Sequence, residues 1–107
     1  MAAEIGTSGD IQFQVSLWSA RARILAHQGS FDTAESLARE AVDLSEPTDW
    51  LIMKGDALMD LAEVLTLAGR PDEAKPFIER ALGMFELKEA TSYVEFAARA
   101  LAELGSR

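Results

Sequence analysis

Few residues in this chain have types and spacing suited to chemistry. There is one histidine, His27, and no cysteine, which removes disulfides, thiolate metal sites and cysteine nucleophiles. No serine stands in a motif that would bring it a histidine and an aspartate. Gly29, Gly55, Gly69 and Gly83 occur singly, so no glycine-rich loop cradles a phosphate. Three carboxylates remain to be weighed. Asp56, Asp60 and Glu63 fall at i, i+4 and i+7, which places them on one face of a helix. Carboxylates so arranged hold a divalent cation when more oxygen ligands close around it. A dinuclear site in a helical bundle also draws Glu and His from facing helices, and His27 is the one imidazole on offer. The simpler expectation is a solvated or ligand-facing acidic strip, with no metal, no cofactor and no catalytic residue. His27 falls near a helix end, where a cation favours the helix dipole.

The elements that must position these residues are helices. Apolar residues recur at spacings of three and four. A first helix is expected from about Asp10, as N-cap, to Gln28, with Ile11, Val15, Trp18, Ala22 and Leu25 on one face and Gly29 as a left-handed stop. A second runs from about Phe31 to Ser45, capped by Ser30, with Ala34, Leu37, Ala38, Ala41 and Leu44 buried; Glu46-Pro47-Thr48-Asp49 connects it onward. A third spans about Trp50 to Ala68, with Leu51, Leu58, Leu61, Ala62 and Leu65 inward and Gly69 closing it. The fourth opens with Pro71 at its first position and buries Ala74, Phe77, Ile78, Ala81 and Phe85; Pro76, one turn in, should bend it. A fifth runs from about Glu89 to Leu104, with Tyr93, Ala97, Leu101 and Leu104 inward and Glu95, Arg99, Glu103 and Arg107 on an outer charged stripe. Such a face suits the end of a stacked array, so the fifth helix reads as a cap.

The composition agrees. The 107 residues are 49% hydrophobic and 26% charged, a globular balance for one small domain. Ten basic residues against eighteen acidic ones give a net charge of −8. Nucleic-acid backbones and anionic membranes require clustered cations, so neither is an expected partner. No apolar run approaches the length of a membrane span. Residues 1–9 lack the basic start and apolar core of a signal peptide and read as a flexible tail, with residues 10–107 as the domain. The absence of cysteine suits a reducing, cytoplasmic setting.

The chain also repeats. At an offset of 40, Ala22 falls on Ala62, Leu25 on Leu65, Gly29 on Gly69, Asp32 on Asp72, Ala34 on Ala74 and Ala41 on Ala81. Leu61 and Ala62 then fall on Leu101 and Ala102. Small and apolar positions keep register together with the turn glycine. This pattern resembles the tetratricopeptide repeat family. Its clearest stretch is Leu58-Met59-Asp60-Leu61-Ala62-Glu63-Val64-Leu65 followed by Ala68-Gly69-Arg70-Pro71-Asp72-Glu73-Ala74, with Ala81 as the second small position; Trp18, Ala22, Leu25, Gly29, Phe31, Ala34 and Ala41 carry the first copy. The family's usual period is about 34 residues, so the helices or connectors here are longer. Arg21 stands where the later copies have Leu61 and Leu101, which makes the first copy the weaker match. The resemblance implies an all-α superhelix of antiparallel helix pairs: repeat 1 over about 11–46, repeat 2 over about 50–87 and a capping helix over about 89–104. The stretch from Gly55 to Ala74 is also similar to helical-repeat tails of large bacterial signalling proteins that join a nucleotide cyclase or transcription-regulator domain to an ATPase domain. That likeness implies a C-terminal piece of such an assembly or a free-standing relative.

In the family, the first helix of each pair lines a concave groove that holds a protein or peptide partner. Carried onto this chain, the groove positions are Ser16, Ser19, Arg23 and His27 in the first helix, Asp56, Met59, Asp60 and Glu63 in the third, and Phe96 and Arg99 in the fifth. Some members hold a carboxylate terminus there through Lys and Asn. Asp56, Asp60 and Glu63 would repel one, which turns the expectation toward a segment carrying Lys or Arg. Phe13, Ile52 and Met53 fit none of the buried stripes, and an apolar patch of these three implies the alternative of a homodimer.

Overall fold

The helices form where the spacing puts them. The computed structural model describes residues 8–105, and five helices follow in order: α1 Ser8–His27, α2 Phe31–Ser45, α3 Leu51–Leu67, α4 Pro71–Leu87 and α5 Thr91–Gly105. Among the described residues there is no strand, and no helix is long and apolar enough to cross a membrane. Residues 1–7 of the expected tail, and Arg107 of the expected stripe, lie outside the described residues.

Three of the four turns share one chemistry. After α1, the Ser30 N–H donates to the Leu25 carbonyl and the Gly29 N–H to Ala26; after α3, Arg70 donates to Leu65 and Gly69 to Thr66; after α4, Ala90 donates to Phe85 and Glu89 to Glu86. Each is a Schellman stop, which needs a left-handed residue one place before the end. Gly29 and Gly69 supply it with φ of 88° and 81°, while Glu89 takes φ 55° without being glycine. The α2–α3 connector is held by Thr48, whose hydroxyl donates to the Ser45 carbonyl at 2.8 Å. Two expected caps differ. α1 begins at Ser8, so Asp10 is not its N-cap. Ser30 occupies the N-cap place of α2 without a side-chain cap hydrogen bond. Pro71 is at the start of α4, and that helix continues through Pro76 to Leu87.

Small residues set the spacing of the pairs. Ala22, Ala34, Ala38, Ala41, Ala62, Ala74 and Ala81 are all buried, which lets α1 lie on α2 and α3 on α4. Gly55 makes the closest approach: a Cβ there would meet the Phe85 ring, 2.7 Å from Cζ. α3 is the central element, packed against α1, α2 and α4. It therefore buries more than its expected stripe, including Met53, Ala57, Met59 and Val64, while Leu51 is only partly covered. Burial of Met53 and partial burial of Ile52 dissolve the expected Phe13–Ile52–Met53 patch. α5 packs mainly on α4 and does not close on α3 as α3 closes on α1. Of the four residues expected inward on α5, Ala97 is fully buried, Leu101 and Leu104 partly, and Tyr93 is 37% exposed with its ring 5.0 Å from that of Phe85.

Candidate ligand groove

Two helix-pair repeats in register place α1 and α3 side by side. The cross-helix pairs record that register. Arg23 Nε lies 3.1 Å from Glu63 and 3.7 Å from Asp60, and His27 Nε2 lies 2.9 Å from Glu63 Oε2. Between the middle of α1 and the first half of α3 is a cavity of about 520 Å³. α1 contributes Val15, Ser16, Ser19 and Arg23 to its lining; α3 contributes Met53, Asp56, Ala57 and Asp60; Asp49 and Trp50 close it from the connector, and Lys88 and Tyr93 from the α4–α5 side. A second opening, about 250 Å³, fills the gap where α5 stands off α3. Met59, Glu63, Ile78, Phe96 and Leu104 are among its lining residues.

The ten groove positions taken from the sequence thus separate. Ser16, Ser19, Arg23, Asp56 and Asp60 line the larger cavity, and Met59, Glu63 and Phe96 the smaller. Met59 is buried rather than presented on an open floor, because α3 is enclosed on three sides. His27 lines neither opening and pairs with Glu63 from the exposed end of α1. Arg99 lines neither and is exposed. Trp50, Tyr93, Lys88 and Asp49 had no place in the expected groove. They belong to helix starts and connectors, whereas the carry-over considered only helix faces; aromatic residues at helix openings were the one available signal.

The electrostatics are uneven. Glu63 is answered by both Arg23 and His27. Asp60 is not so well served. Burial pushes its carboxyl up to about 7, Arg23 pulls the other way, Asp56 and Glu63 add to the rise, and the Ser19 hydroxyl opposes it least. Asp56 is raised too, chiefly by burial and against the pull of Arg23, and no ion pair reaches it among the described residues. Ser19, only 4% exposed, stands close enough to Asp60 to ease its charge, but its Oγ makes no well-aligned hydrogen bond. The three carboxylates do not converge as a metal centre: among the described residues, no group of three His, Asp or Glu is placed to hold an ion.

Several charges away from this cavity are paired. Arg70, on the α3–α4 turn, donates to Glu35 of α2 at 2.6 Å and to Glu73 at 2.6 and 2.8 Å. Arg39 donates to Glu35 at 2.8 Å and lies over the Phe77 ring. Arg70 first, then Arg39, holds the Glu35 carboxyl below its ordinary value. This network ties the two repeats together, and Arg80 to Glu46 at 3.0 Å adds a further link between them.

A family model for the tetratricopeptide repeat matches residues 13–87, which spans most of α1 and all of α2 to α4. No curated protein and no solved structure matches the chain. Repeats of this family mediate protein–protein interaction and form non-catalytic modules.

Proposed function

The chain belongs to the tetratricopeptide repeat family, and we propose that it is a non-enzymatic module that binds a protein or peptide segment carrying basic residues in the groove of α1, α3 and α5. The observation that supports this reading is the pair Asp56 and Asp60, held partly desolvated in a cavity with too little positive charge around them. A buried carboxylate without a full partner raises the free energy of the empty site. A partner's cation relieves that strain, whereas a carboxylate or phosphate aggravates it. The adjoining slot at Phe96 is apolar enough to take a hydrophobic side chain next to the basic one. Selection from a displayed peptide library, followed by titration, tests the reading. Selected peptides should carry Lys or Arg, and Asp60→Lys should weaken them by at least about tenfold, the loss for a desolvated charge pair turned repulsive. Affinity unchanged in that variant refutes it.

A second reading, self-association, has its own support. Phe13, Leu17 and Ile24 lie along one outer face of α1 and are 67%, 42% and 58% exposed. Forty residues on, Met53, Ala57 and Val64 are buried under the first repeat. The same face of a helix is thus covered in α3 and open in α1, and a second copy of the chain is the occupant this reading commits to. Light scattering across a concentration series should show a mass above the monomer that Phe13→Lys with Ile24→Lys abolishes. A constant monomer mass removes the reading.

A further inference from the structure

The charge count within the larger cavity goes further than "basic". Asp49, Asp56 and Asp60 line it against Arg23 and Lys88, and Arg23 lies nearer to Glu63 than to Asp60, so carboxylates outnumber cations there and an added cation is favoured. The acceptors are also arranged. Asp56 and Asp60 are one turn apart on α3, and across from them, on α1, Ser19 lines the cavity with a buried hydroxyl that lies beside Asp60 without a well-aligned hydrogen bond. Two carboxylates on one helix and a hydroxyl on the facing one, all lining one cavity, offer acceptors to an ammonium group, which has three diverging N–H donors. A guanidinium is a planar fork that fits one carboxylate edge-on, and Arg23 already lies against Asp60 on the side toward Glu63. Val15, Met53 and Ala57 offer apolar wall for methylene groups, and Trp50 and Tyr93 stand at the cavity with aromatic faces that tolerate a passing cation.

We propose, resting on the basic-segment reading above, that this cavity is a lysine site: the ammonium of one lysine of the bound segment enters between Asp56 and Asp60 and donates to both carboxylates and to Ser19 Oγ. Asp60 must be ionised for the pairing, with Arg23, Asp56 and Glu63 the charged groups around it and His27 reaching only Glu63. Binding therefore strengthens between pH 6 and pH 8, by about tenfold for a carboxyl that loses its proton near 7.

The test uses the whole chain, labelled for amide NMR, and three capped peptides of alanine and glycine that differ only in a central lysine, arginine or Nε-acetyl-lysine. The lysine peptide should shift the Ser19, Asp56 and Asp60 amides saturably, arginine should bind at least about fivefold more weakly, and acetyl-lysine should leave them unmoved. Ser19→Ala removes a hydroxyl without a well-aligned hydrogen bond, so it leaves the fold intact while weakening the lysine peptide by about fivefold to tenfold, the worth of a hydrogen bond to a charged group. Equal binding of lysine and arginine, or no effect of Ser19→Ala, overturns the lysine site and leaves the basic-segment reading standing. Failure of both cationic peptides to move the groove amides overturns the two together.

Discussion

Replacing Asp60 by asparagine should make the unliganded protein more stable, and by an amount that grows with pH. In the folded chain the Asp60 carboxyl is pushed from its ordinary 3.8 up to about 7, first by burial and then by Asp56 and Glu63, with Arg23 opposing. A raised value means that the folded state holds this proton more tightly than the unfolded chain does. The contribution of Asp60 to stability is therefore complete below pH 3.8 and is lost as pH rises through about 7. The full displacement corresponds to about 4 kcal/mol above pH 7. The side chain stays 23% exposed, so water screens part of this, and about 2 kcal/mol is the expected penalty at pH 8. Asparagine has a similar shape, keeps a donor and an acceptor for Ser19 and Arg23, and carries no charge to desolvate. Urea unfolding followed by circular dichroism at pH 5, 6.5 and 8, on both proteins, reads the difference. The Asn variant should gain a little under 1 kcal/mol at pH 5 and about 2 kcal/mol at pH 8, the latter roughly 10 °C in Tm for a chain of this size. An Asn variant that is less stable than the parent, or whose advantage ignores pH, would show that Asp60 is a satisfied partner of Arg23. The cavity would then hold no unmet charge for a cation to answer.

Gly55→Ala should destabilise by about 1–2 kcal/mol in thermal or urea melts: the added methyl meets the fully buried Phe85 ring, and that overpacking exceeds the roughly 1 kcal/mol alanine gains in a helix. Phe85 stacks on Tyr93, which lines the groove, so the same variant should shift the Tyr93 amide in NMR spectra. Glu89→Gly should stabilise by about 0.5–1 kcal/mol, because φ 55° strains any residue but glycine; an unchanged or lower Tm contradicts it. Glu35→Gln should reduce stability at pH 7 by up to about 1 kcal/mol. The Glu35 carboxyl is lowered by Arg70 and Arg39, so its contribution is present above 4.5 and fades as pH falls below it, and parent and variant should converge near pH 2 in acid unfolding.

Local signals were legible because they depend on local geometry. Gly29 and Gly69 announced the two helix-pair turns, and Pro71 the start of α4, since each answers a backbone demand that no distant contact alters. The third left-handed stop was invisible, because Glu89 gives no hint that it takes a positive φ. The alanines were readable as close-packing positions from their spacing alone. Met59 was not readable as buried, since its helical face is shared with Asp56 and Glu63 and only the position of α3 between three neighbours decides which of them is covered. Arg99 fitted two faces at once, groove and outer stripe, and the stand-off of α5 from α3 left it exposed outside both openings. The buried Ser19 hydroxyl and the aromatic pair Trp50 and Tyr93 depend on how separate elements meet, which no periodicity encodes.

The offset of 40 explains more than the fold when each register position is followed through the three copies. Leu17, Ala57 and Ala97 occupy one position, the face toward the preceding helix pair; the first is exposed and the other two are buried. Ala22, Ala62 and Ala102 occupy another, the face toward the following helix; the first two are buried and the third is exposed. Exposure thus tracks which neighbour is present among the described residues, not the residue type. Among the described residues α3 has both neighbours, so a polar group deep on its remaining face, such as Asp60, sits in a partly dehydrated setting. On an end helix, Asp56 and Asp60 would be ordinary solvated carboxylates. On α3 Asp60 is largely desolvated by the fold itself, with Arg23 its one ion-pair partner among the described residues. The same stacking that builds the superhelix therefore creates the unmet charge. A partner's cation is the one addition that lowers its energy without dismantling the packing around it.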